Sequence, residues 1–261
     1  MNVEIVGYAL ALLVGISLGL IGSGGSILTV PILVYILKIE PFLATAYSLF
    51  IVGSTALVGG VQNAINRKVN YKLVLLFGLP SLLAVYVMRA YVLILVPDTI
   101  AFGSLNLSKN VVLMVFFALV MFASAMKMIR PKTIQQTQSQ PQQTQLMLQG
   151  VLVGVVAGTV GAGGGFLIIP ALILFANISM KEAVGTSLFI VAIQSLIGFL
   201  GDAGNPLIDW HLHLYFSAIS IIGIFIGIFL TRFIPDRNLK TGFGYFVLLM
   251  ALYIFIKEVF F

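Results

Sequence analysis

Two glycine clusters, each set inside an apolar stretch and each followed by a proline at the same distance, constrain this chain more than any other feature. The first reads Gly19-Leu20-Ile21-Gly22-Ser23-Gly24-Gly25-Ser26 with Pro31, and the second Gly158-Thr159-Val160-Gly161-Ala162-Gly163-Gly164-Gly165 with Pro170. A shift of 139 positions, which carries Gly19 onto Gly158, also places Gly22, Gly24, Gly25, Leu28, Pro31, Leu33, Ile39, Ala44 and the run Ser48 to Val52 on identical residues without a gap. The chain is an internal duplication of a hydrophobic unit whose helix is interrupted at the matching place in both copies. In lipid such an interruption is tolerated only where protein or a wet cavity satisfies the freed backbone groups. Matched interruptions in two halves point to a transporter with its site between the repeats.

The bilayer is the expected solvent. Of the 261 residues 60% are hydrophobic and 8% charged, with a mean hydropathy of +1.13, whereas soluble domains carry about 25% charged residues. The chain has no cysteine, which excludes disulfides, thiolate metal sites and thiol chemistry. The net charge of +6 does not indicate nucleic acid, because the basic residues lie singly or in threes at the ends of apolar segments, where they report topology. Asn2 and Glu4 precede the first apolar segment, which has no basic leader and runs into the glycine break, so it is not read as a cleaved signal peptide.

Measured against a hydrocarbon core that takes about 20 helical residues, full spans are predicted near 42–64, 73–97, 110–129, 182–200, 212–231 and 240–257. Residues 5–37 and 147–176 are too long for one upright helix and too short for two, and glycines cut each near its middle. Each is either a re-entrant hairpin or one broken helix. Arg67, Lys68 and Lys72, then Lys127, Arg130 and Lys132, then Arg232, Arg237 and Lys240 mark cytoplasmic ends, while the loop 201–209 holds Asp202 and Asp209 and no basic residue. That outer loop is the 139-residue counterpart of the Arg67–Lys72 loop, so equivalent loops fall on opposite faces. The fold class expected is an all-α polytopic membrane protein of two inverted-topology repeats, each a broken or re-entrant helical hairpin plus three transmembrane helices, with both termini outside. The divisions are 1–130 for the first repeat, 131–146 for a cytoplasmic linker and 147–261 for the second repeat. Gln135–Gln145, polar and almost without charge, reads as disordered.

The expected substrate site lies at the breaks. Glycine lets a ligand approach the main chain closely, and the half-helices starting near Ser26 and Gly165 offer free N–H groups and partial positive charge. Gly22, Ser23, Gly24, Gly25 and Ser26 in the first copy, with Gly161, Gly163, Gly164 and Gly165 in the second, are the candidates; the competing reading is close helix packing. Pro31 and Pro170 kink their half-helices or free a carbonyl. Ser48, Thr186 and Ser187 supply hydroxyl donors or bond back to their own helices. Thr55 corresponds to Gln194, which either holds helices together or touches substrate. Arg89, inside an apolar run, is either a counter-charge for an anion or a side chain snorkelling to the interface. All eight acids are placed at segment ends, and His211 and His213 at the outer boundary, so no buried carboxylate serves a cation, no metal or cofactor is expected, and no catalytic constellation supports an enzyme.

The paired G-x-x-G-x-G-G clusters with their prolines, Ser48, Thr186-Ser187-Leu188, Val69-Asn70-Tyr71 and Ile208-Asp209-Trp210 together resemble the sulfite exporter TauE/SafE family, the sulfonate-uptake permeases, over nearly the whole chain. The first copy departs from the pattern at Tyr47, where threonine is usual, and at Asn70-Tyr71 in place of Asp-Trp. The resemblance implies movement of sulfite, sulfonates or related small sulfur oxyanions across the bacterial inner membrane. The partners implied are that anion and the lipid bilayer, with further copies of the chain as an option left open. Independent of the resemblance, amides and hydroxyls with no buried acid favour a compact oxyanion. An anion channel and a non-transporting membrane assembly subunit are the alternatives.

Overall fold

The computed structural model describes residues 2–102, 105–129, 143–161, 163–176, 178–230, 233 and 236–260. Helix α1 (Asn2–Ile21) gives way to a 3-10 turn, Gly22–Leu28, and then to α2 (Thr29–Pro31), which continues through a π turn, Ile32–Ile36. Helices α3 (Pro41–Ile65) and α4 (Tyr71–Leu95) follow, then two short antiparallel strands, β1 (Thr99–Phe102) and β2 (Leu105–Ser108), and α5 (Lys109–Ile129). The second half contains α6 (Gln143–Val160), α7 (Gly165–Phe175), α8 (Met180–Leu200), α9 (Trp210–Leu230) and α10 (Asp236–Phe260). Among the described residues seven helical stretches are long and apolar enough to cross a membrane, and the chain is a multi-pass membrane protein of the all-α class with one short hairpin. Large apolar side chains such as Leu75, Leu83, Leu95, Phe229 and Leu249 are exposed while Ser48, Thr55, Ser187 and Ser195 are buried, the distribution that a lipid solvent favours.

Local sequence explains the helix starts. Pro41 opens α3, where its missing N–H is no loss. Ser179 accepts from the Glu182 N–H to start α8, the N-terminal half of a capping box. Asn70 accepts from the Leu73 N–H at the start of α4. Its 139-residue counterpart Asp209 accepts from the His211 and Leu212 N–H groups at 2.9 and 3.2 Å at the start of α9. Two expectations change. Gln143–Gln145, assigned by sequence to a disordered linker, lie in the first turn of α6, because an apolar helix directly behind them propagates into the polar run; residues 135–142 lie outside the described residues. The β1–β2 hairpin has no counterpart in the predicted spans, since four-residue strands between long apolar runs leave no periodic signal.

The stretch Val6–Ile36 is apolar enough for one span, but it does not run straight. A Cβ placed on Gly25 would lie 2.4 Å from the Leu18 nitrogen, and one on Gly7 would lie 2.9 Å from Leu37 Cδ2. The beginning of α1 therefore meets the end of the second arm, as in a hairpin. Gly22, with φ +70°, makes the turn in a region that only glycine enters without strain. The second hairpin turns at Gly161, Gly163 and Gly164, with φ +72°, +64° and +64°. The half-helix starts at Gly165 as expected. In the first copy it does not start at Ser26, because a 3-10 turn fills Gly22–Leu28 before α-helical bonding resumes at Thr29.

The centre is a pair of helices. In α3 and α8 67% of the span residues are buried, against 39% in α4 and α9, so the first pair forms the core and the second pair faces lipid. A Cβ on Gly53 would meet Leu196, and one on Gly60 would meet Phe189; positions rise along α3 as they fall along α8, so the two helices run antiparallel. Around them the contacts repeat with the halves exchanged. Gly15 and Gly19 of α1 pack on the Ser220 and Ile224 carbonyls of α9, while Gly154 and Gly158 of α6 pack on the Ser81 and Val85 carbonyls of α4. Small residues allow this approach of backbone to backbone, and each pair differs from its partner by the same 139 positions.

Candidate functional site

The two glycine breaks touch. Ser23 Oγ donates to the Gly165 carbonyl at 3.0 Å, and a Cβ on Gly165 would collide with the Ser23 carbonyl. On either side the breaks rest against the central helices in a matched way, Gly22 against Val184 of α8 and Gly161 against Thr45 of α3, positions that are themselves 139 apart. The candidate glycines thus lie together in the interior. Ser26 Oγ is occupied by the Ser23 carbonyl at 2.8 Å, and Gly24 rests on Ile21.

Of the remaining candidates, several already have protein partners. Thr186 Oγ1 accepts from the Asn70 N–H at 2.9 Å. The counterpart of this contact is made by Tyr47, whose hydroxyl accepts from the Asp209 N–H at 2.7 Å. Tyr47 therefore performs across the halves the task of the threonine it replaces. Ser187 Oγ donates back to the Val184 carbonyl at 3.0 Å. Gln194 accepts from Ser81 Oγ at 2.7 Å and donates through Nε2 to the Gly163 carbonyl, so this intramembrane amide holds the second break open by supplying a partner to its backbone.

Three hydroxyls stand apart. The Oγ atoms of Ser48 and Ser195 and the Oγ1 atom of Thr55 are buried with no hydrogen-bond partner. Ser195 borders the second break. A Cβ on Gly163 would find Ser195 Oγ at 2.6 Å, Val191 at 3.0 Å and Val52 at 3.2 Å, and Ser48 and Thr55 lie four residues before and three after Val52, on the same face of α3. Thr29, beyond the first break, is likewise buried without a partner. Leaving a buried hydroxyl unpaired costs about 1–3 kcal/mol, so a cluster of them marks a place where a polar guest restores the bonds. Ser195 and Thr29 were missed by sequence reading; the only available signal was a serine next to Gln194 in an otherwise apolar run.

Arg89 corrects two expectations together. It is not a snorkelling side chain: with 0% exposure, its Nε donates to Asp202 Oδ2 at 2.6 Å and its Nη1 to Thr45 Oγ1 at 2.8 Å, with the Phe42 ring 5.3 Å away, while Nη2 is buried without a partner. Asp202, placed by sequence in a solvated loop, is buried, so a buried carboxylate does exist, committed to arginine. Burial pushes the Asp202 carboxyl above the ordinary aspartate range, and the Arg89 guanidinium opposes that rise. The pairing spans 113 residues, beyond any local sequence signal. His213 is also buried rather than interfacial. Among the described residues no group of acids and histidines has the arrangement of a metal site.

A multi-pass helical bundle in which two glycine-broken hairpins meet against a central antiparallel pair belongs to the class of membrane transporters. More specifically, the chain belongs to the sulfite exporter TauE/SafE family, whose match covers residues 8–254. It is 30% identical over 253 residues to a probable membrane transporter protein of Xylella fastidiosa, covering 93% of this chain and 91% of that one. It is 25% identical over 264 residues to a probable membrane transporter protein of Haemophilus influenzae, covering 94% and 95%. A shorter likeness, 27% over 107 residues, 39% of this chain and 24% of the relative, links it to a sulfite exporter TauE/SafE family protein of Arabidopsis thaliana. No solved structure matches the chain.

Proposed function

We propose that the protein is a secondary carrier that moves small sulfur oxyanions, sulfite or short organosulfonates, across the bacterial inner membrane by alternating access between two inverted repeats, 1–130 and 147–261. The anion is bound beside the second glycine break by the hydroxyls of Ser195 and Thr55, with N–H groups at the start of α7 facing its charge and Ser48 about two turns from Thr55 along α3. One observation carries the reading: the buried, unpartnered Ser195 hydroxyl lies at the second break, facing the stretch of α3 on which Val52 stands between the equally unpartnered Ser48 and Thr55. Neutral donors suit a compact anion, because they stabilise its oxygens without fixing a cation in lipid. The family name supplies the choice of sulfur chemistry.

The inverted arrangement rests on α3 and α8. They are equivalent under the 139-residue shift yet run antiparallel, and equivalent spans of opposite direction enter the bilayer from opposite sides. Reciprocal contacts, Thr186 with Asn70 and Tyr47 with Asp209, are what a two-fold relation between the halves requires. With Arg67, Lys68 and Lys72 in the cytoplasm, both termini face outward.

The test is thermal unfolding of the purified protein with sulfite, sulfate, thiosulfate or methanesulfonate. A true substrate at about 100 times its Kd adds about 2.7 kcal/mol. Ser195→Ala and Thr55→Val should remove most of that gain while leaving the anion-free protein at least as stable as the parent, since neither hydroxyl has a partner to lose. Stabilisation by none of the four anions, or an undiminished gain in both variants, would refute the reading.

A further inference from the structure

We propose that His213 is the proton-binding group of this carrier, taking up one proton at Nε2 when the anion is bound and releasing it when the anion leaves. The inference rests on the carrier reading above and adds its coupling ion.

The geometry begins with the tautomer. His213 Nδ1 lies 2.9 Å from the Asp209 carbonyl; a carbonyl only accepts, so Nδ1 carries a hydrogen and the lone pair of the neutral ring resides on Nε2. That Nε2 is buried with no partner, and one turn along α9 the Ser217 hydroxyl is buried and unpartnered as well. A basic nitrogen held in a fixed tautomer with its lone pair free is a proton acceptor.

Burial of the ring opposes the charged form while no anion is present, and its aromatic contacts offset part of that cost. The rings of Tyr47, Phe50, Phe199 and Trp210 have centroids 4.0, 5.2, 5.6 and 5.7 Å from the imidazole, an aromatic cage of the kind that stabilises a desolvated cation. The titratable and charged groups facing it from neighbouring elements are already engaged. Asp209 spends Oδ1 on the N–H groups that start α9. The Tyr47 hydroxyl accepts from the Asp209 N–H and donates to the Leu207 carbonyl at 3.3 Å. On α1, Tyr8 meets Tyr215 instead. Arg89 and Asp202 neutralise each other.

Position then supplies the coupling. The ring packs at a tilt of 58° on Tyr47 of α3 and against Phe199 of α8, one turn beyond Ser195, so an imidazolium sits against both helices whose hydroxyls bind the anion. A proton and an anion buried close together each lower the cost of burying the other, and such coupling is reciprocal. The step balances as imidazole plus one proton from water giving imidazolium, reversed on the other side of the membrane, with no electron transfer.

The probes are methanesulfonate and sulfate, which carry no proton of their own near neutrality. The chain has two histidines, so ring nitrogen NMR of histidine-labelled protein in nanodiscs resolves His213 from the exposed His211. Saturating anion at fixed pH should convert His213 from the Nδ1-protonated neutral ring to the imidazolium. A ring still neutral with anion bound down to about pH 5, well below the ordinary histidine range, overturns the proposal. If neither anion binds, the carrier reading fails separately, and titration without anion decides the proton site by the same limit. In proteoliposomes an inward proton gradient should accelerate methanesulfonate or sulfate uptake several-fold in the parent and in His211→Gln, and leave it unaccelerated in His213→Gln. Equal acceleration in His213→Gln overturns the proposal.

Discussion

Removing Asp202 should be among the most damaging single changes in the chain. In Asp202→Leu the guanidinium of Arg89, with no exposure to water, loses the carboxylate 2.6 Å away. It keeps only the Thr45 hydroxyl at 2.8 Å and the Phe42 ring at 5.3 Å. A neutral hydrogen bond nets about 1 kcal/mol and a cation–π contact about 0.5–2 kcal/mol, well short of the desolvation cost of a buried ion. Breaking a buried pair from one side costs about 3–5 kcal/mol, which in a chain of this size lowers the apparent Tm by on the order of ten degrees. The double variant Arg89→Met with Asp202→Leu removes both charges and should recover most of the loss, because apolar replacement of a buried pair is often neutral or favourable. The assay is thermal unfolding of the three variants in one detergent, read as a double-mutant cycle. A single variant within about 1 kcal/mol of the parent, or a double variant no better than the single, would show that Arg89 is solvated or otherwise compensated and would refute the argument.

Other outcomes follow from the same contacts. Gly161→Ala should abolish folding or transport, since the residue needs φ +72° and its new Cβ would lie 2.3 Å from Thr45 Cβ, on top of a left-handed penalty of about 1–2 kcal/mol; Gly242→Ala, with nothing within 4 Å, is the silent control in expression and unfolding assays. Tyr47→Phe should cost about 1 kcal/mol by deleting the part-buried bond from the Asp209 N–H, measured by thermal unfolding, whereas Tyr47→Thr has the hydroxyl but not the reach. Ser220→Ala deletes the bond from α9 to the Ala11 carbonyl at 2.9 Å and should cost about 1 kcal/mol without changing anion-induced stabilisation.

Much of the fold was legible because a bilayer imposes few solutions. Six apolar runs of sufficient length become helices within a few residues of their predicted ends, from α3 to α10, since any other backbone conformation would leave polar groups unpaired in lipid. The two breaks were legible for the converse reason, as glycine clusters mark where helical bonding stops. The β1–β2 hairpin and the first turn of α6 were not, because short polar segments next to long apolar ones take their structure from what they pack against.

The sequence by itself determined that this is a duplicated membrane protein of the TauE/SafE family with its helices broken at Gly22 and Gly161, and which side-chain types stand near those breaks. Only the tertiary structure decided which of them are free. It assigned Thr186 to the Asn70 N–H, Gln194 to the Gly163 carbonyl and Arg89 to Asp202, and left Ser48, Thr55 and Ser195 without partners. The physical reason is that hydrophobic patterning is local and repeats along the chain, whereas satisfying a buried polar atom is a pairwise matter between residues here 31 to 116 positions apart.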